Sequence, residues 1–267
     1  HEKILKQYNK EDQEKLFVIK PLYQRALIVF GGPLANFLLA LVIFFSIYTF
    51  IGKDFTPAII NEVQKDSPAM SGGLKRNDII LEIDGNKVKS IMEVSKYITM
   101  STSDIIDFKV KRSYDELLLK IKPIMVLSKD SLGNQINKRI VGIKLGAYNN
   151  EINHVKLGPA QAIYHAAHEV YYVSISSLKY LGAMIFGKAD TSQLGGPIRI
   201  AKISGQVAEF GVLAFISMMA YISISLGLVN LFPIPLLDGG HILLNTIEAI
   251  RGKEFNKNTL DYTFRIG

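Results

Sequence analysis

The chain has 267 residues and no cysteine, which excludes disulfide bonds and thiolate metal ligands. Its formal net charge is +7, but the basic residues are dispersed and no aromatic and basic motif of a nucleic-acid-binding protein accompanies them, so we expect no nucleic-acid partner. Hydrophobic residues make up 48% of the chain and charged residues 21%. This combination predicts apolar membrane spans joined to a polar domain.

The first part of the chain predicts a membrane helix that follows a polar segment. Residues 1–25 are polar and basic, which indicates a cytoplasmic N-terminal segment. Residues 26–51 carry no charge and exceed the about 20 residues that a transmembrane helix needs. The chain starts at His1 rather than Met, and it ends at Gly267 without a residue pattern that would end a structural element. We therefore expect a fragment truncated at both ends.

The middle of the chain changes character. Residues 52–128 contain short alternating segments, the turn signal Asp84-Gly85 and a short helical pattern from Met92 to Met100, which together predict a small α+β domain. Residues 129–157 predict a connector with one strand, Arg139 to Leu145, that packs on this domain.

The last part predicts two kinds of helix. Residues 158–209 indicate amphipathic helices at the membrane interface, the first opened by Gly158-Pro159. Residues 210–237 carry no charge and predict a second transmembrane helix that unwinds near Asn230, and residues 238–267 predict a cytoplasmic helix and loop. Lysine and arginine flank both spans on their outer sides, which predicts cytoplasmic flanks and a small domain on the opposite, periplasmic side of a bacterial inner membrane.

Asp238 is the leading functional candidate. It follows the second apolar stretch within the segment NLFPIPLLDGGH, which runs from Asn230 to His241. A carboxylate at membrane depth costs about 3 kcal/mol on insertion scales, so it requires a partner, a metal or a water-filled site. Two prolines and two glycines indicate a non-helical backbone, which membranes tolerate where it lines a cavity. A carboxylate is also a standard zinc ligand beside two histidines.

Asn230, Pro233 and Pro235 form a second candidate group. Proline lacks an N–H group, and an unwound segment with accessible backbone groups could hold an extended peptide by strand-like pairing. The alternative is a structural break in which the asparagine caps the helix or binds a neighbouring helix.

Other polar clusters do not match a known zinc motif. His1-Glu2 is followed by Leu5 where HExxH requires a second histidine, and no HExxH occurs in the sequence. His165, His168 and Glu169 match neither HExxH nor HxxEH, because the glutamate follows the second histidine. We therefore expect them to form the polar face of an interfacial helix. His241 is expected to pack or to donate hydrogen bonds.

Several segments, taken in order, resemble the site-2 protease family of intramembrane zinc metalloproteases, and its RseP-like branch in particular. The Asn230 to His241 segment is similar to the family's Leu-Asp-Gly motif. The segment from Gly32-Pro33 to Asn36 is similar to its G-P-x-x-N motif. Further similar segments are Ser67-Pro68-Ala69, Gly73-Leu74 and Asp78 to Gly85, which resemble a PDZ domain, and Leu194 to Ile198.

The resemblance implies transmembrane helices with an inserted α+β PDZ domain, a small barrel or sandwich of five to six strands. It implies Asp238 as the third ligand of a Zn2+ cofactor, and Asn230, Pro233 and Pro235 as the substrate seat. It also implies that Gly32, Pro33, Asn36 and Gly239 form the structural motif around them. The implied partners are membrane-spanning substrates such as anti-sigma factors, the lipid bilayer and a peptide ligand of the PDZ domain.

Three features depart from the family pattern: the missing HExxH, the missing final membrane helix and a single PDZ domain. We therefore expect the full-length protein to be an intramembrane metalloprotease in stress signalling, and this fragment alone to be inactive. Two alternatives stay open. One is a non-catalytic, membrane-tethered PDZ binding module, and the other is a transporter subunit with Asp238 as an ion site.

Overall fold

The computed structural model describes residues 16, 20–129, 135–146, 153–187 and 196–252. Contacts divide the chain into two units, His1–Val42 with Met219–Gly267, and Ile43–Met218. The predictions for His1-Glu2 and most of the N-terminal segment, for Leu194-Gly195 and for the loop after residue 252 lie outside the described residues.

Three helices carry the two segments that resemble the G-P-x-x-N and Leu-Asp-Gly motifs. Helix α1 is Leu22–Ser46, and it continues into a π-helical turn, Ile47–Ile51. Helices α6 and α7 are Val212–Asn230 and Asp238–Arg251. Helix α1 thus begins before the predicted start of the span at residue 26 and includes the charged Arg25, whose Nε donates to the carbonyl oxygen of Lys20 at 2.9 Å.

Helices α1 and α6 pack through small residues. A Cβ at Gly227 would lie 3.1 Å from the ring of Phe37 and 3.3 Å from the Cβ of Asn36, so glycine permits this approach. Ser223 donates its hydroxyl proton to the backbone oxygen of Asn36 at 2.8 Å. Close contact through glycine and serine is typical of helices that associate in a membrane.

Two described helical segments are long and apolar enough to cross a membrane, namely Leu22–Ile51 and Val212–Asn230. Many of their large apolar side chains are exposed rather than packed in a core. Examples are Leu27 at 65%, Val42 at 55% and Leu226 at 51%. A continuous apolar surface of this kind marks an interaction with lipid or with other apolar partners.

The second unit contains an antiparallel sheet, and we call residues 53–155 the sheet domain. Its strands are β1 (Lys53–Asp54), β2 (Ile59–Val63), β3 (Ile79–Ile83), β4 (Asn86–Lys87), β5 (Ile106–Arg112), β6 (Asp115–Ile121), β7 (Ile124–Lys129), β8 (Gln135–Ile140), β9 (Ile143–Gly146) and β10 (His154–Val155). The short helices α2 and α3 are Pro68–Ser71 and Ile91–Met100. The main sheet has the order β6-β5-β3-β2-β9, with β4 paired to β3, while β7 pairs with β8 and β1 with β10.

In place of the one strand predicted from Arg139 to Leu145, the structure has the end of β8 and then β9, and β9 joins the main sheet by pairing with β2. The core of the sheet domain follows from alternation along its strands. In β5 the buried residues are Ile106, Phe108 and Val110, as expected when every second side chain faces the core. Helix α3 adds the buried Val94 and Ile98.

Helix α4, Pro159–Ile185, packs on the sheet domain by a polar contact. Lys96 on α3 places its Nζ 2.9 Å from both carboxylate oxygens of Glu169, whose side chain is only 7% exposed. The same Nζ lies 4.8 Å from the ring centroid of Tyr172. Glu169, predicted on the polar face of an interfacial helix, thus has its carboxylate buried and paired with Lys96 within the second unit. Helix α5, Pro197–Glu209, follows as a shorter amphipathic helix.

Candidate functional site

The two motif segments meet at Gly32 and Asp238. A Cβ at Gly32 would lie 2.8 Å from the Oδ2 atom of Asp238, so the carboxylate occupies the space that the missing side chain leaves on α1. Both residues belong to the first unit. The tertiary structure thus brings the first-helix motif and the Leu-Asp-Gly motif together around one carboxylate.

Asp238 is half-buried and is the first residue of α7. The positive end of the helix dipole stabilises a negative charge at this position. Among the described residues, none makes a hydrogen bond or an ion pair with its carboxylate. Its lone pairs are therefore accessible to a ligand from elsewhere, which is the chemistry expected of a metal-binding carboxylate.

Glycine at positions 239 and 240 lets the preceding turn lie directly on α7. A Cβ at Gly239 would be 2.2 Å from the backbone oxygen of Leu231, and a Cβ at Gly240 would be 2.1 Å from that of Ile234. Both glycines are buried. The prediction that both glycines belong to a non-helical backbone is wrong, because α7 begins at Asp238 and includes them. Their lack of side chains instead permits the close backbone approach, and the sequence assigned a structural role only to Gly239.

Asn230 is the last residue of α6 and is half-buried, and the backbone after it forms turns up to Leu237. Pro233 is exposed and Pro235 is half-buried. The N–H groups of Phe232 and Leu237 donate locally, to the carbonyl oxygens of Val229 and Ile234 at 3.0 and 2.9 Å. Strand-like pairing of a peptide here would therefore use carbonyl groups or require the turn to open, and the substrate-binding role of these residues stays a prediction.

Pro33 and Asn36 lie one turn apart on α1. Pro33 is buried, and Asn36 is half-buried at the contact with α6 described above. The first motif therefore contacts α6 through Asn36 and lies beside the Asp238 carboxylate through Gly32. The functional roles of both residues stay predictions.

The histidines of α4 are engaged with aromatic and basic neighbours. The ring of His165 packs edge-on against Phe55, with centroids 5.8 Å apart. Burial, followed by the nearby charges of Lys53 and Lys89, lowers the pKa of His165 to about 4, so the imidazole is neutral at pH 7. His168 lies beside Tyr164, with ring centroids 6.4 Å apart.

The fit of a zinc ion can be tested against the donor atoms present. Asp238 offers a carboxylate without a described partner, at the N-terminus of a helix, and this suits one ligand position. Within the ranges that the structure describes, no group of three His, Cys, Asp or Glu side chains could hold a metal ion. Asp238 would therefore supply one ligand, and the others would come from outside these ranges.

Replacing Gly239 by alanine should displace the Asp238 carboxylate from Gly32. The new methyl group would collide with the backbone oxygens of Leu231 and Phe232, at 2.2 and 2.4 Å, and backbone atoms cannot rotate away as a side chain can. We expect the disulfide yield of a Gly32→Cys/Asp238→Cys pair to fall several-fold in the Gly239→Ala background. Gly205→Ala in α5 is the matched control, because no atom lies within 4 Å of its added Cβ. An unchanged yield would contradict this account of the glycine.

Comparison with known proteins identifies the family of the chain. The family model described as Peptidase family M50 matches residues 5–267. A protein of Agrobacterium fabrum whose name places it among the zinc metalloproteases is 35% identical over 246 residues, which cover 92% of this chain and 65% of that protein. The zinc metalloprotease RasP of Geobacillus kaustophilus is 32% identical over 90% of this chain and 54% of its own length.

A solved structure gives a further comparison. The PDZ domain of an SdrC-like protein from Listeria monocytogenes is 28% identical and matches 34% of this chain and 88% of its own, with a TM-score of 0.28. The family match, by contrast, extends over nearly all of the chain and includes both motif segments. The chain therefore belongs to peptidase family M50, the site-2 protease family, as the motifs around Asp238 predicted.

Proposed function

We propose that the protein containing this chain is an intramembrane zinc metalloprotease that cleaves membrane-spanning segments of other proteins. The observation that carries this proposal is the Asp238 carboxylate, which lies against Gly32 at the start of α7 without a described partner. Membership of family M50 and relatives named as zinc metalloproteases support it. The chain spans 65% and 54% of the lengths of the two relatives described above, so the activity is proposed for the whole protein.

Each described residue of the site has a proposed role. Asp238 would hold the metal from the first turn of α7. Gly32 would leave room for the carboxylate, and Gly239 and Gly240 would fix the first turn of α7 to the preceding backbone. Zinc, when bound, would lower the pKa of its water to about 7 and polarise the scissile carbonyl group. Two further ligands and the general base would come from an HExxH motif, which the printed sequence does not contain.

The substrate would be bound beside the turn after Asn230. The exposed Pro233 and half-buried Pro235 would present free carbonyl groups to a locally unwound membrane helix. The apolar surfaces of α1 and α6 would contact the acyl chains of a bacterial inner membrane and keep bulk water from the site. In this proposal the sheet domain lies in the periplasm, and the substrates are regulators such as anti-sigma factors.

Metal removal tests the proposed activity. The full-length protein in detergent or liposomes, incubated with a reporter that carries one transmembrane helix, should lose cleavage when 1,10-phenanthroline removes zinc. Stoichiometric zinc should restore it, because the ion both activates water and polarises the carbonyl group. Cleavage that continues in zinc-depleted protein would overturn the proposal.

A second candidate function rests on the sheet domain, which we propose to be a PDZ domain that binds peptides. A cavity of about 180 Å³ lies between α3 and the segment from Lys138 to Leu145, lined by Val94, Ile98, Ile140 and Ile143 among others. Strand β9 is at the end of the main sheet's order, so its outer edge could pair with an extended peptide. Peptide binding by the full-length protein, together with no zinc-dependent cleavage, would favour a binding module over a protease.

A further inference from the structure

Arg25 and Glu248 form an ion pair between α1 and α7 within the first unit. The Nη1 atom of Arg25 lies 3.9 Å from Oε2 of Glu248, and the two side chains are 16% and 12% exposed. The Nε atom of Arg25 also donates to the carbonyl oxygen of Lys20 at 2.9 Å, which holds the guanidinium at the start of α1. The pair is therefore largely removed from water, where a charge-charge contact is screened less than at the surface.

This ion pair and the Gly32–Asp238 contact lie at opposite ends of one helix interface. Arg25 precedes Gly32 by about two turns of α1, or roughly 10 Å. Glu248 follows Asp238 on α7 by nearly three turns, or roughly 15 Å. Because the earlier residue on α1 contacts the later residue on α7, the two helices run antiparallel, with Asp238 near one end of their contact and Glu248 near the other.

The two ends of α7 are held in different ways. At its N-terminus, Gly239 and Gly240 lie on the turn that follows α6, so this end is attached to α6 rather than to α1. At that end the Asp238 carboxylate lies beside Gly32 of α1, which has no side chain to hold it in place. At the far end, α7 contacts α1 through the ion pair of Arg25 with Glu248.

We propose that Arg25 and Glu248 are positioning residues that hold α7 along α1 and thereby place the Asp238 carboxylate opposite Gly32. Without the pair, α7 would turn about its glycine contact and the carboxylate would move away from α1. The inference rests on the proposed role of Asp238 as a metal ligand, since positioning that carboxylate matters for function only if it binds. It assigns no chemistry to Arg25 or Glu248 themselves.

Disulfide trapping in the full-length protein tests the proposal, with any native cysteines outside this cysteine-free chain replaced. A Cβ at Gly32 would be 3.8 Å from the Cγ of Asp238, so Gly32→Cys and Asp238→Cys should form a disulfide bond on oxidation in membranes. We expect Arg25→Glu or Glu248→Arg alone to lower the initial rate of this crosslink on the order of tenfold. The double exchange, Arg25→Glu with Glu248→Arg, should restore most of the rate.

An internal control separates positioning from general loss of structure. Cysteines at Asn36 and Gly227 report the contact of α1 with α6, because a Cβ at Gly227 would lie 3.3 Å from that of Asn36. Their crosslink rate should not change with Arg25→Glu, whereas misfolding would lower both rates. Lys144→Glu serves as the matched charge reversal, because its pair with Glu62 is exposed at 62% and 56%.

The outcomes are distinct. A crosslink between positions 32 and 238 that is unaffected by both single reversals, or that is not restored by the double exchange, would overturn the proposal. Equal loss of both crosslinks would also overturn it, since the pair would then support the whole helix assembly rather than Asp238. None of these measurements requires zinc, so the proposed function is judged separately, from the zinc content and cleavage activity of the full-length protein.

Discussion

Asp238→Asn in the full-length protein is expected to abolish both zinc binding and cleavage. The amide has the shape of the carboxylate, so the contact with Gly32 and the start of α7 should persist. What is lost is the negative charge, and a neutral amide oxygen is a poor zinc ligand. Replacing groups that only support metal ligands costs about 10–100-fold in affinity, so loss of a direct ligand should exceed about 100-fold.

Zinc content by elemental analysis and cleavage of a membrane-helix reporter measure this effect independently. Asp104→Asn is the matched control, since it makes the same chemical change at an exposed position of the sheet domain. The two variants should differ in zinc occupancy. Cysteines introduced at Asn36 and Gly227 should still crosslink in both. Normal zinc binding by Asp238→Asn would show that the carboxylate is not a ligand and would remove the main support for the protease.

Asp78→Ala should destabilise the sheet domain by about 3 kcal/mol. Asp78 is fully buried, and its two carboxylate oxygens accept hydrogen bonds from Arg112 at 2.7 and 2.8 Å. It also accepts the N–H of Lys75 at 2.8 Å. Alanine would leave the guanidinium and this amide without their partner. The cost stays at the low end for a buried pair because the Arg112 side chain is 29% exposed and can regain some hydration.

Urea-dependent pulse proteolysis of the full chain, monitored at cleavage sites in the sheet domain, would measure this change. Glu62→Ala removes one partner of the exposed Lys144 pair and should cost no more than about 1 kcal/mol. The double variant Asp78→Ala/Arg112→Met should cost less than the sum of the single changes, because no charge is then left unpaired. Equal stability of Asp78→Ala and Glu62→Ala would contradict the assigned role.

Much of the fold could be predicted because the signals are local. The uncharged stretches indicated both apolar helices, and alternation indicated the strands around Phe108. Helix boundaries were predicted less well, since α1 includes Arg25 and α7 begins at Asp238 itself. A charge at the end of an apolar helix is acceptable when a partner from another segment pairs with it, and composition cannot reveal that partner.

For the candidate site, too, some features follow from the sequence and others only from the tertiary structure. The sequence by itself determined that Asp238 is exceptional, because a carboxylate beside two prolines and two glycines after an apolar stretch is costly without a function. Only the tertiary structure decided what surrounds it: Gly32 beside its Oδ2 atom, and the Arg25–Glu248 pair at the other end of α7. Periodicity and turn chemistry act between neighbours in the chain, whereas these contacts depend on how distant helices pack, and a single sequence does not encode that in any local pattern.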